Sequence, residues 1–402
     1  MVERRLPKPK VAGSKPVFRS TGGRTTVAFL IVCRMDPQKR LKSLDTLRGF
    51  DMMFIMGVAT LIITICEQFP GGADCWLAQQ MDHVEWNGWH HHDTIFPLFL
   101  FISGISFPFS YAAMQERGMA RRSIYWKIFR RAALLVLFGL ICNGLFKLEW
   151  STIRIPSVLA RIGLAWMFAA LMFINFKPGT RAVISAVILL GYWFLLMIPA
   201  PDAPGMDPLS HDGNLVGYID RMVMPNHLYR WDGGNFDPEG ILSTLPAIVT
   251  AMLGMFTGEY VRSMRHDGNR KTLYMFAAAA VMLILGYIWN IWFPINKKLW
   301  TSSFVLVLGA FSLASFALFY WIIDVRGRDG WTFPFRVIGM NSITIFMAPR
   351  VIDFHHATDF FIGGIVGLMP EGIGSIVSRV AYLVICWLFL YFLYRKKIFL
   401  KL

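Results

Sequence analysis

Ten apolar runs dominate the chain, near residues 47–66, 94–113, 132–146, 158–176, 182–200, 241–261, 273–293, 301–323, 335–352 and 373–394. Most approach the ~20 residues an α-helix needs to cross a bilayer. Inside lipid only helices and closed barrels satisfy every backbone N–H and C=O, and these runs are too long and too continuously apolar for barrel strands. The pattern therefore predicts an all-α fold, a polytopic transmembrane helical bundle of about ten spans. Composition agrees: 55% of the 402 residues are hydrophobic and 16% are charged, against ~45–50% and ~25% in a soluble domain.

A net charge of +15 would suit nucleic-acid binding, but the positions of the charges exclude that reading. Of the 40 Lys and Arg, 29 fall in alternate segments beginning with the N-terminal one, and 6 fall in the segments between. Cytoplasmic loops carry the Lys and Arg excess. Both termini are therefore expected in the cytoplasm, with 67–93 and 201–240 outside it. No nucleic-acid partner is expected; the lipid bilayer is.

Residues 1–39 read as a basic, disordered cytoplasmic tail, and Met35, opening "MDPQKRLKSLD", is a candidate start. Residues 40–402 form one membrane domain. The basic stretch 114–131 is expected to lie on anionic headgroups. The segment 201–240, dense in Gly, Pro, Asp and Asn, is long for a structureless loop and should cover or line an entrance. Cysteine spacing gives no metal motif, and Cys66 and Cys75 flank one outer loop where an oxidising compartment would allow a disulfide.

Charged and polar groups within the spans need a partner or a wet cavity. Asp45, Arg48 and Asp51 are spaced i, i+3, i+6, so neighbours can pair on one helix face; Arg48 is either an inner-boundary ion pair or a phosphate partner. In "RIPSVLARIGLAW", Arg154 and Arg161 are two turns apart, and Arg161 needs an ion pair or a polar ligand. "WFPINKKLWTSS" crowds Asn296, Lys297, Lys298 and Trp300 at an outer boundary, as snorkelling cations or an anion site. Asn341 and Ser342 suit interhelical hydrogen bonding, with Asn341 also a candidate for holding a ligand.

The stretch "DHVEWNGWHHHDTIFPLFLFISG" (82–104) puts four histidines in ten positions. His90, His91 and His92 are consecutive, so they point in different directions and make a poor metal site. His83, beside Trp86 and Asn87, is the better candidate for chemistry, because imidazole exchanges protons near neutrality.

The stretches "RLKSLDTLRGF", "HVEWNG", "DTIFPLFLFISG", "RIPSVLARIGLAW", "DPEGILSTLPAI", "PINKKLWTSSFVLV" and "GMNSITIFM", in that order over roughly 40–402, resemble the heparan-α-glucosaminide N-acetyltransferase family and its bacterial relatives. The resemblance implies acetyl-CoA as co-substrate, no metal, and an amino sugar such as the terminal glucosamine of heparan sulfate as acceptor. Matching "H-x-x-W-N-G" places the active histidine on His83. Val84 and Glu85 follow it where the family commonly has small residues, and the stretch before the spans reads as a basic tail, so no N-terminal lumenal domain is expected there. The implied setting is a bacterial cytoplasmic membrane with the His83 loop outward, and a homodimer is compatible with the family.

On that basis His83 acts as general base or acetyl carrier, oriented by Asp82, Glu85 or Asp93, with Asn87 as oxyanion donor. Arg48, Arg161 and Asn341 are assigned to the donor. Trp86, Asp93, Asp237, Glu239, Asn296, Lys297 and Trp300 are assigned to the acceptor side, although Asp237 and Glu239 in "DPEG" equally suit a helix start. Two rivals stand beside this reading: O-acetylation of an envelope polysaccharide, and a transporter without thioester chemistry.

Overall fold

The computed structural model describes residues 41–230 and 233–400. The expected tail over 1–39 and the candidate start at Met35 lie outside the described residues. Among the described residues every regular element is helical: α1 (Lys42–Cys66), α2 (Trp76–Gln80), α3 (His91–Glu116), α4 (Arg121–Cys142), α5 (Val158–Asn175), α6 (Pro178–Leu196), α7 (Leu215–Val223), α8 (Thr244–Arg262), α9 (Gly268–Trp289), α10 (Ser302–Val325), α11 (Phe333–Met340), α12 (Ser342–Met347), α13 (Phe354–Val366) and α14 (Glu371–Arg395). Seven of these, α1, α3, α5, α6, α9, α10 and α14, are long and apolar enough to cross a membrane.

The other three expected spans take different forms. Most of the run at 132–146 is the second half of α4, and residues 121–131 of the basic stretch expected on headgroups form its first half. The run at 241–261 is α8, with twelve of its nineteen residues buried by neighbouring helices. The run at 335–352 breaks at Asn341, whose φ of −125° and ψ of 32° part α11 from α12.

Lipid-exposed and packed faces separate as expected for a bundle in hydrocarbon. On α6, Val183, Val187, Leu190 and Phe194 form an exposed stripe at i, i+4, i+7, i+11. Such a stripe would be a liability in water and matches a lipid-facing surface. The packed face holds interleaved aromatics: Phe107 meets Trp166 at 5.4 Å and Phe173 at 5.5 Å edge-on, and Phe96 meets Trp300 at 4.9 Å. Arg181 of α6 reaches Glu259 of α8 at 3.0 and 3.1 Å, so a buried cation on a membrane helix has its counter-charge.

Two seams bring helix backbones together. On α8, Gly254 and Gly258 are four apart and face α3; a Cβ on Gly254 would lie 2.1 Å from the Phe101 carbonyl oxygen, and one on Gly258 2.4 Å from that of Ile105. Gly104 of α3 answers from the other side, 2.2 Å from the Ala251 oxygen. Small residues at this spacing allow the close approach on which helix pairs in lipid rely. The second seam joins α1 to α11, where a Cβ on Gly49 would lie 1.7 Å from the Phe335 oxygen. Beyond it, α1 carries a π-turn over Phe54–Val58, with Gly57 at φ 137°.

Candidate active site at the start of helix α3

The first turn of α3 is organised by Asp93. Its carboxylate is fully buried and accepts from the His90 backbone N–H at 3.0 Å, satisfying an otherwise orphaned donor at the helix start. The same Oδ2 accepts from Val84 N–H at 3.3 Å, which folds the preceding loop back over the helix. That fold carries His83 to the other oxygen: His83 Nδ1 lies 2.6 Å from Asp93 Oδ1. Of the three acids considered as partners for His83, Asp93 makes this bond. Asp82 spends its carboxylate on the His83 backbone N–H at 2.7 Å.

Lys297 completes the group from the loop before α10. Its Nζ lies 3.1 Å from Asp93 Oδ1 and 3.0 Å from His83 Nδ1. An ionised carboxylate only accepts and an ammonium only donates. The proton between His83 and Asp93 therefore sits on Nδ1, and Lys297 bonds to the carboxylate. The tautomer is assigned from this network. Nε2 is then the basic nitrogen, on a side chain that is 51% exposed. Burial lowers the pKa of the Lys297 ammonium, and the Asp93 charge acts against that shift. The His92 ring packs edge-on to His83 at 4.6 Å, a contact hidden in the sequence by its place among three consecutive rings.

The loop bearing Lys297 is a constructed turn. Asn296 Oδ1 accepts from Leu299 N–H at 2.9 Å, and Thr301 Oγ1 accepts from Asn296 N–H at 3.0 Å. Trp300 adopts φ 52°, a left-handed conformation rare for a bulky residue; it is held by burial and by its indole N–H donating to Thr250 at 3.3 Å. The turn docks on the histidine loop, with Gly88 N–H donating to Ile295 O at 2.7 Å and Asn296 Nδ2 to Asn87 Oδ1 at 3.2 Å. Asn87 is thereby oriented with its own NH₂ available to a ligand. Trp86 donates to Leu209 O at 2.9 Å, which lays the 201–240 segment against the site. Beside His83 opens a cavity of about 790 Å³, lined by Asp82, His83, Glu85, Trp86, Asn87 and His90 among others. That size accommodates a saccharide or a comparable small ligand.

The remaining candidates have separate partners. Asp237 is fully buried and holds Arg154 through two bonds of 2.8 and 2.6 Å, and Glu239 bonds the same guanidinium. This tie has no local signature, because Arg154 lies more than eighty residues away along the chain. Burial works against the Arg154 charge, yet the two carboxylates outweigh it and raise its pKa. Arg161 is buried against Trp300, 5.0 Å from its ring centroid, and donates to Gly240 O at 3.3 Å and to Ser243. Arg48 reaches Asp45 at 3.4 Å and Ser106 at 3.2 Å. Asn341 donates to Ile398 O at 3.2 Å. Cys66 and Cys75 are both free thiols, and the Cys75 sulfur accepts from Ala78 N–H at 3.4 Å at the start of α2. Among the described residues no group of three His, Cys, Asp or Glu is placed to hold a metal ion.

Comparison with known proteins adds a relationship to this geometry. The chain is 30% identical over 427 residues to a heparan-alpha-glucosaminide N-acetyltransferase of Homo sapiens, across 90% of this chain and 60% of that protein. It is 29% identical over 429 residues to the Mus musculus protein of the same name, across 92% and 61%. The chain spans about three-fifths of the length of these relatives. No family model matches it.

Proposed function

We propose that the chain is a membrane-embedded acetyltransferase that moves an acetyl group from acetyl-CoA to an amino sugar. The His83–Asp93 pair carries this reading: a buried carboxylate holds one ring nitrogen at 2.6 Å and leaves the other free beside a saccharide-sized cavity. That arrangement suits a general base. His83 Nε2 takes a proton from the acceptor amine as its nitrogen attacks the thioester carbonyl. A C–N bond forms, the Asn87 NH₂ donates to the developing oxyanion, and the C–S bond then breaks. The proton on His83 passes to the departing thiolate.

In this reading Trp86 and the Asn296–Trp300 turn frame the acceptor, while Arg48 binds donor phosphate at the inner end of α1. Arg161, Asp237 and Glu239 support the site through Arg154, Ser243 and Trp300. The distribution of Lys and Arg supports cytoplasmic termini and an outward His83 loop, with a bacterial cytoplasmic membrane as the setting. Four runs of purified protein test the function: acetyl-CoA consumption with amino sugars, with neutral sugars, without acceptor, and with His83→Ala. Thiol release that requires an amino sugar and vanishes in His83→Ala is expected. Release with neutral sugars alone would replace the amine acceptor by a hydroxyl, and release unaffected by the substitution would remove His83 from the chemistry.

A further inference from the structure

The side of the chain that carries the His83 loop is poor in cations, with 6 Lys and Arg in its segments against 29 in those of the other side. Three of the 6, Lys147, Arg154 and Arg230, line one cavity of about 670 Å³. Arg350 joins them from the turn that follows α12. Cations that the charge asymmetry disfavours are thus gathered in one place, where they repel one another unless an anion sits among them. Arg154 has its anions in Asp237 and Glu239. Among the described residues Lys147, Arg230 and Arg350 stand in no ion pair. Glu149 is the one carboxylate among the described lining residues, so these three cations leave positive charge over.

The walls are set by bonds that do not use the Lys147 or Arg350 head groups. Asn143 Nδ2 donates to Arg154 O at 2.8 Å and to Pro156 O at 2.9 Å. Ile155 N–H donates to His227 O at 3.1 Å, and His227 Nδ1 bonds Ile153 O at 2.8 Å. These ties clamp the segment after α4 to the segment after α7, and Arg230 adds a bond to Thr152 O at 3.3 Å. Much of the remaining lining is apolar, with Ile141, Leu228, Met347 and Val351. Apolar surface continues outside, where Phe146, Leu148, Trp150 and Val351 are exposed. Exposed aromatics at the ends of membrane helices belong at headgroup level. A basic pocket bordered by such a rim has the character of a lipid headgroup site.

We propose that this cavity binds a phosphate-bearing lipid from the leaflet on the His83 side, its phosphate held by Lys147, Arg230 and Arg350 and its chain leaving over the apolar rim. The guanidinium forks of Arg230 and Arg350 match phosphate oxygens in pairs. A tailless anion would leave the rim in water, and an uncharged lipid would leave the cations unmatched. The site goes beyond acetyl transfer and stands whether or not that reading does.

Thermal-shift titration of the full chain in a maltoside detergent tests this, because a ligand of the folded state raises its melting temperature. The probes are dioctanoyl phosphatidylglycerol, dioctanoylglycerol, which has no phosphate, and glycerol 3-phosphate, which has no tails. Wild type is expected to show saturable binding of the first and at least about tenfold weaker binding of the other two. Lys147→Gln and Arg350→Gln should each weaken the phosphatidylglycerol about fivefold, and the pair about 25-fold. Arg350→Lys, which keeps the charge, should retain most of the affinity. Arg121→Gln, at the start of α4 on the other side of the bundle, should leave it unchanged. No saturable binding, or an unchanged affinity in the paired variant, would overturn the proposal. Glycerol 3-phosphate binding as well as the lipid would make this a site for soluble anions, and a loss confined to Arg121→Gln would move the lipid to the opposite leaflet; either result also overturns it.

Discussion

Replacing Asp93 by Asn tests the site most sharply, because the change is nearly isosteric. In the native site Oδ1 takes the His83 Nδ1–H at 2.6 Å and the Lys297 ammonium at 3.1 Å, while Oδ2 takes two backbone N–H groups. An amide offers one acceptor oxygen and one donor nitrogen. If its oxygen stays on the N–H groups of Val84 and His90, its NH₂ faces His83 and Lys297. The ring must then present an unprotonated Nδ1 and carry its proton on Nε2, the tautomer that cannot accept from an amine. By analogy with Asp→Asn changes in catalytic triads, kcat should fall by about 10²–10⁴. Lys297 loses its carboxylate while mostly buried, so stability should fall by about 3–5 kcal/mol if the charge persists. Thiol release from acetyl-CoA with saturating amino sugar measures the first effect, and thermal unfolding in detergent measures the second. A folded Asp93→Asn protein working within tenfold of the wild-type rate would refute the tautomer argument.

Three further expectations can be measured on the same preparation. The lowered pKa of Lys297 means that its charge is lost below the ordinary lysine range; the alkaline limb of the rate profile should move to higher pH in Lys297→Arg, and an unmoved limb would exclude this ammonium as its origin. Asp220 of α7 is fully buried, its Oδ1 accepts from Ile241 N–H at 3.0 Å, and burial pushes its pKa up to about 7. The folded protein then binds the extra proton between about pH 4 and pH 7, so stability declines as pH rises across that window and levels off above it, by at most ~4 kcal/mol. Asp220→Asn should remove that slope in thermal unfolding, and equal slopes in both proteins would contradict the assignment. Gly254→Ala should lower stability by about 1–3 kcal/mol, since the new methyl meets a backbone oxygen that cannot step aside; an unchanged melting temperature would show that the seam is looser than described.

The bundle was legible because hydrophobic length is a local property, and α1, α3, α5, α6, α9, α10 and α14 each announce themselves by it. The run at 335–352 shows what hydropathy leaves out: its apolar content is continuous, while the break at Asn341 is a backbone event that hydropathy does not register. In the site, His83 and Asp93 could be suspected together because ten residues and one helix start separate them. Lys297 drew notice as a cation on the wrong side of the charge asymmetry, but its arrival at Asp93 depends on a turn two hundred residues away. Asp237 and Glu239 stood out as acids after a turn, and only the fold shows Arg154 between them. Pairings across long sequence separation leave no periodic trace.

The glycine seam between α3 and α8 has a consequence for motion. With carbonyl oxygens closer than a methyl group would permit, α3 cannot slide or roll on its neighbour without separating two backbones. Asp93 belongs to that immobile helix, whereas His83 belongs to a loop. In the proposed reaction an acceptor would have to enter and a product leave beside that loop. Whatever yields to let them pass lies on the loop side of the 2.6 Å bond; the carboxylate is the fixed post to which the imidazole returns.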